Sequence, residues 1–99
     1  MKLVIKNSDA KNKRLVAIFT DKGKSKKVNF GLKNPKIGTY IDTGDTVARK
    51  NYIKRHEVNE KKFYKDPHRA ATLSRFILWG ESKSLKQNIE LYKKKFNLS

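Results

Sequence analysis

Arg14-Leu15-Val16-Ala17-Ile18-Phe19-Thr20 decides the fold, because both alternating faces of this run are apolar. Such a run reads as a central strand covered on each side. Lys2-Leu3-Val4-Ile5-Lys6 is a short β-branched run upstream, and Lys27-Val28-Asn29-Phe30-Gly31 alternates polar and apolar downstream. Between the second and third runs, Asp21-Lys22-Gly23-Lys24-Ser25-Lys26 predicts a hairpin with a lysine-rich tip. From Leu32 to Thr43 the chain carries Asn34-Pro35 and Gly38, with Gly44 just beyond, and this punctuation predicts a loop.

Farther on the period changes. Thr43 or Asp45 can cap a helix running to about Glu57, with Ala48, Tyr52 and His56 spaced i, i+4, i+8 and Val47 and Ile53 nearby. Asp66-Pro67 reads as an N-cap with proline at the first helical position, opening a helix to Trp79 that Gly80 stops. Leu73, Phe76, Ile77 and Trp79 make it the densest apolar segment, hence the core helix. Ser84-Leu85-Lys86-Gln87 fits a capping box, after which Leu85, Ile89, Tyr92 and Phe96 recur on one stripe. Three strands followed by three helices predict an α+β fold in a single domain over 1–99: a short antiparallel three-stranded sheet whose one face the helices cover.

Twenty-five lysines and arginines against nine carboxylates give a net charge of +16 on 99 residues. A small domain ordinarily carries roughly 2 to 8 charges in excess, and more than that self-repels, so the surplus predicts a polyanionic partner. Cysteine is absent, which excludes disulfides and thiolate metal sites. The longest apolar stretch, Leu15 to Phe19, falls far short of the roughly 18 residues of a membrane span, and Met1-Lys2 leads into no signal core. A soluble, unprocessed chain with no membrane partner is the expectation.

Gly23-Lys24-Ser25 has the ending of a phosphate-binding P-loop, but that motif needs a glycine five positions earlier, where Ile18 stands. What remains is Lys22, Lys24, Lys26 and Lys27, either a phosphate-contacting finger or a solvated turn. His56 and His68, without cysteine or a carboxylate pair, make no recognisable metal site, and no cofactor is expected. Ser74, or Tyr52 with Arg55 and His56, could be drawn as the nucleophile of a small nuclease, yet the carboxylates are scattered and packing explains these residues more simply. Arg75, inside the most apolar helix, must emerge, pair or stack on an aromatic ring. Trp79 reads first as core, and with Tyr92 and Phe96 as a candidate docking anchor. Basic faces carry most functional weight: Arg49, Lys50, Lys54 and Arg55 on the first helix, and Lys93, Lys94 and Lys95 on the last. Lysine in excess of arginine suits sequence-independent phosphate contact.

The order Val28-Asn29-Phe30-Gly31, Gly38-Thr39-Tyr40, Tyr52-Ile53-Lys54-Arg55-His56, Asn59-Glu60 and Leu73-Ser74-Arg75-Phe76-Ile77-Leu78-Trp79 resembles a family of small basic proteins encoded by large nucleocytoplasmic DNA viruses. The resemblance covers nearly the whole chain, and its last segment is the most specific. Leu32-Lys33-Asn34-Pro35 departs from the smaller, glycine-containing turn more usual there. The resemblance implies a virion or genome-associated role, located in the virion and in host cytoplasm or nucleus during infection, and it supplies no catalytic residue.

Two readings of different class therefore stand beside each other. One is a non-catalytic virion protein that binds nucleic acid, DNA foremost, through backbone phosphates without sequence preference. The other is a minor capsid or cement protein docking on acidic surfaces of capsid proteins. A small nuclease or nuclease accessory is a third, minor one.

Overall fold

Leu15, Ala17 and Phe19 alternate onto one face of β2 (Lys13–Asp21), which lies between β1 (Lys2–Asn7) and β3 (Lys24–Leu32) in one antiparallel sheet of order β1-β2-β3. The computed structural model describes residues 1–33 and 38–99. Register pairs Leu3 with Phe19, Ile5 with Ala17 and Phe30 with Leu15, so all three strands send apolar side chains to the same inner face. Leu73, Ile77, Leu78 and Tyr92 of the helical half close the core over that face. The fold is α+β, strands first and helices after, as the sequence predicts.

Coverage stops at the inner face. Val4 pairs with Ile18, and Val16 stands between Lys6 and Asn29, yet none of these three aliphatic residues joins the core cluster. No described helix packs over them, so β2 is central but covered by helices on one side only. The hairpin also differs from expectation. Lys22 and Gly23 alone form its turn, both at positive φ (50° and 82°), and a two-residue turn of this hand matches the twist of the flanking strands. Lys24 and Lys26 are therefore strand residues.

Leu32 ends β3, and α1 (Tyr40–Thr43) supplies one helical turn where a loop is expected; Asn34-Pro35 of that stretch lies outside the described residues. Thr39 and Asp42 cap this turn reciprocally, a short box hidden in sequence between two glycines. In α2 (Thr46–Glu60), Asp45 is the cap, accepting from the N–H groups of Val47 and Ala48. A 3-10 turn, Lys61–Phe63, extends it beyond the expected end. Its apolar face is shallow: Ala48, Tyr52, Ile53 and His56 are half-buried, whereas Val47 and Val58 are 66% and 82% exposed.

Asp66-Pro67 does not open the next helix. Asp66 Oδ1 accepts from the His68 N–H at 2.9 Å and closes a local turn, and the backbone of Arg69 is extended, so α3 (Ala70–Leu73) starts only afterwards. It widens at once into a π turn, Ser74–Leu78, in which the Trp79 N–H reaches Ser74 O at 3.0 Å. The wider turn brings Leu73, Ile77 and Leu78 together onto the sheet. Ser84 caps α4 (Leu85–Lys95) by accepting from the Gln87 N–H. The reciprocal half of the expected capping box is missing, because Gln87 Oε1 accepts instead from Ser82 Oγ at 2.9 Å. At its end Asn97 turns left-handed (φ 55°), the Leu98 N–H reaches back to Lys93 O at 2.7 Å, and Ser99 O accepts from the Leu3 N–H on the edge of β1.

Candidate nucleic-acid interface

Period two distributes the hairpin lysines. Lys27 pairs with Ile18 and stands on the outer face, Lys26 pairs with Phe19 and Lys24 with Asp21 on the opposite parity, and Lys22 sits in the turn. All four are exposed. The same parity puts Lys2 and Lys6 of β1 on the outer face with Lys27. Neither was a candidate from composition, although the spacing Lys2-x-Val4-x-Lys6 carries the signal.

On α2, Lys50, Lys54 and Arg55 are exposed, but Arg49 is half-buried and committed. Its Nε donates to Gly80 O at 2.8 Å, and its guanidinium lies 5.6 Å from the Tyr40 ring centre. On α4, Lys94 and Lys95 are exposed and Lys93 is half-buried. Lys95 Nζ rests 4.8 Å from the Phe76 ring centre, its stem lying along aromatic surface.

Three of the nine carboxylates, Asp42, Glu60 and Asp66, are paired with cations among the described residues. Asp42 takes a bidentate pair from Arg14 (2.7 and 2.8 Å) and accepts from the Thr39 N–H and hydroxyl, each at 2.8 Å. These bonds, Arg14 foremost, hold its carboxyl well below the usual carboxylate range. Asp66 meets His68 and Arg69 at 3.3 Å each, and Glu60 meets His56 at 3.2 Å. Among the described residues all the ion pairs draw their cations from arginine and histidine, and none from lysine.

Aromatic residues are occupied internally. Trp79 lies flat on Tyr52 (4.2 Å, 5°), and Tyr52 on His56 (4.0 Å, 23°), a three-ring stack joining α2 to the end of the π turn. Tyr92 is 1% exposed and donates its hydroxyl to Pro67 O at 2.6 Å, so it is core and not an exposed anchor. Phe96 is half-buried against Tyr92 and Phe76. Arg75 takes the stacking option: its guanidinium lies 4.8 Å from the Phe76 ring centre, Nη1 donates to Trp79 O, and burial, with Arg49 nearby, lowers its pKa.

Catalytic geometry gains little. His56, Glu60 and Ser74 line one open hollow with Tyr52, but no hydrogen bond joins Ser74 to the histidine. Burial, reinforced by Glu60, pushes the Tyr52 phenol far above its ordinary pKa, which makes its phenolate a poor candidate nucleophile. Among the described residues no group of three or more His, Asp or Glu side chains could hold a metal ion. No described helix is long and apolar enough to cross a membrane.

One structural residue escaped sequence reading. Asn88 is fully buried on α4, its Nδ2 donating to Ile77 O (2.8 Å) and Ser82 O (2.7 Å) while Oδ1 accepts from the Ser82 N–H (3.0 Å). Its signal is a polar side chain between Leu85 and Tyr92 on an otherwise apolar stripe.

No curated protein and no solved structure matches the chain. A family model does, over residues 3–56, from the sheet through most of α2: the chain belongs to the family of unknown function DUF5754.

Proposed function

We propose that this protein is a non-catalytic binder of nucleic acid that contacts duplex DNA through backbone phosphates without reading sequence. The observation that carries this reading is the division of labour among cations: the ion pairs to Asp42, Glu60 and Asp66 take their cations from arginine and histidine, while lysines of the hairpin and α2, with Lys94 and Lys95 of α4, stand exposed and outside every ion pair of the described residues. Exposed lysine attracts phosphate as a point charge and offers no bidentate fork for base edges. Binding then rests on counterion release. A virion setting is supported by the viral resemblance of the sequence.

Titration of unrelated duplexes across a salt series tests this. About six phosphate contacts give a slope of log affinity against log salt near −5, with equal affinity for every sequence and no nicking of plasmid in Mg²⁺. Absence of DNA retention at low salt refutes the reading.

A second reading, docking on an acidic protein surface such as a capsid shell, has one observation in its favour. Phe76, Leu91 and Tyr92 line a groove of about 270 Å³ bordered by Lys94, Lys95 and one carboxylate, Glu81, where an apolar side chain with a carboxylate on the lysine side would fit. Cross-links that run mainly to shell proteins rather than to DNA in intact particles would favour it.

A further inference from the structure

We infer that duplex DNA seats on the outer face of the three-stranded sheet, with β2 along the floor of the major groove and lysines of the two edge strands on the flanking phosphates. This rests on the nucleic-acid reading above and names the surface that performs it. On this face the charge is laid out by strand. β1 contributes Lys2 and Lys6, β3 contributes Lys27, and β2 between them shows Ile18 and Thr20 toward its hairpin end, Val16 being buried between Lys6 and Asn29. Arg14, farther along β2, is drawn away to Asp42.

Dimensions agree with this layout. Two edge strands with one between them lie about 10 Å apart, and the major groove is about 12 Å wide. Lysine stems leaning outward from the edges reach the phosphate rows, while the uncharged centre meets base edges and thymine methyl groups without a fixed hydrogen-bond pattern. Sequence tolerance follows from that centre. Among the described residues nothing helical lines this face: a shallow hollow of about 200 Å³ on it is lined by strand and turn residues, Val16, Ile18, Lys6, Lys27 and Asn29 among them. One carboxylate, Asp9, borders it at the β1–β2 turn and marks the end where the duplex leaves the sheet.

Two double variants of the full chain with equal charge change separate this surface from the rest of the basic shell. Lys6→Gln with Lys27→Gln removes one cation from each edge strand, and Lys61→Gln with Lys65→Gln removes two exposed cations from the segment that follows α2. The sheet pair is expected to weaken binding of a short duplex about tenfold and to flatten the salt slope by roughly two, while the pair after α2 changes affinity less than about twofold. Val4→Glu, a carboxylate on the same face, is expected to weaken binding at least as much, with unchanged circular dichroism confirming the fold. Equal losses from the two pairs, or tighter binding of single strands than of duplex, overturn the groove assignment while leaving the nucleic-acid reading standing. A parent chain that retains no DNA overturns both.

Discussion

The two faces of β2 are both apolar in sequence and have opposite fates in the structure. Leu15, Ala17 and Phe19 enter a core closed by Leu73, Ile77, Leu78 and Tyr92. Val16 and Ile18 meet no described helix, and Val16 is buried between its register neighbours Lys6 and Asn29. Lysine stems can cover aliphatic surface while their ammonium groups stay in water. An apolar second face on a strand therefore does not require a helical layer: the Ser8 hydroxyl beyond β1 donates to Asn29 Oδ1 of β3 across β2, and Lys2, Lys6 and Lys27 stay exposed where a polyanion can reach them.

That comparison breaks first at the inner face. Phe30, 1% exposed and opposite Leu15, belongs to the closed side. Phe30→Ala should cost about 3 to 5 kcal/mol, a large part of a small domain's stability, read as a drop in the urea midpoint. A cost below about 1 kcal/mol would show that the inner face is no better covered than the outer.

Asn88→Ala comes next. It strips three hydrogen bonds from Ile77 O, Ser82 O and the Ser82 N–H, and so loosens the loop after the π turn that roofs the core. Leaving these backbone groups unpaired should cost about 2 to 3 kcal/mol, with amides of residues 80–84 losing hydrogen-exchange protection before those of β2. Uniform loss across both would mean that the roof and the sheet open as one unit.

Strands and the last helix are legible because short apolar runs bounded by turn residues mark β1 and β2, alternation marks β3, and period 3.6 is unbroken in α4: Leu85, Ile89 and Tyr92 do pack inward, and each strand lies within a few residues of its expected bounds. The Asp66-Pro67 start was misleading for a physical reason, since an Asp carboxylate caps a turn and a helix by the same bond, and only the extended backbone of Arg69 tells them apart. The π turn at Ser74–Leu78 and the latch of Asn88 depend on distant carbonyls that no local pattern contains. For the site, the lysine surplus was visible at once, yet its placement was not. Arg49 turned inward to Gly80 O, while Lys2 and Lys6 gained their meaning only when register aligned them with Lys27.

Asp42 links the sheet to α1 through Arg14 of β2, at the edge of this comparison. Its carboxyl is depressed in the folded chain, so both states are ionised above about pH 5 and the bonds contribute fully there. As pH falls below about 4, the unfolded chain takes up a proton that the folded chain refuses, and the contribution declines. With about a third of the side chain exposed to solvent, Asp42→Asn should cost about 1 kcal/mol at pH 7. The gap to the parent should stay level down to about pH 5 and narrow in stronger acid. A gap that widens in acid would contradict the assignment of Asp42 as the proton-linked group.

The smallest expected effect tests the open face most directly. Val4 is 41% exposed on an edge strand, paired with Ile18, and lies outside the core cluster. Val4→Thr keeps the β-branched shape that suits a strand and exchanges a methyl group for a hydroxyl that water can reach. On a face open to solvent the change should move stability by less than about 0.5 kcal/mol, whereas beneath a packed layer a lost methyl and an unpaired hydroxyl together would cost about 2 kcal/mol or more. Measured in the free protein, the smaller value keeps the outer face available to a partner; the larger one means that part of the chain already covers it, and the comparison between the two faces of β2 fails at its premise.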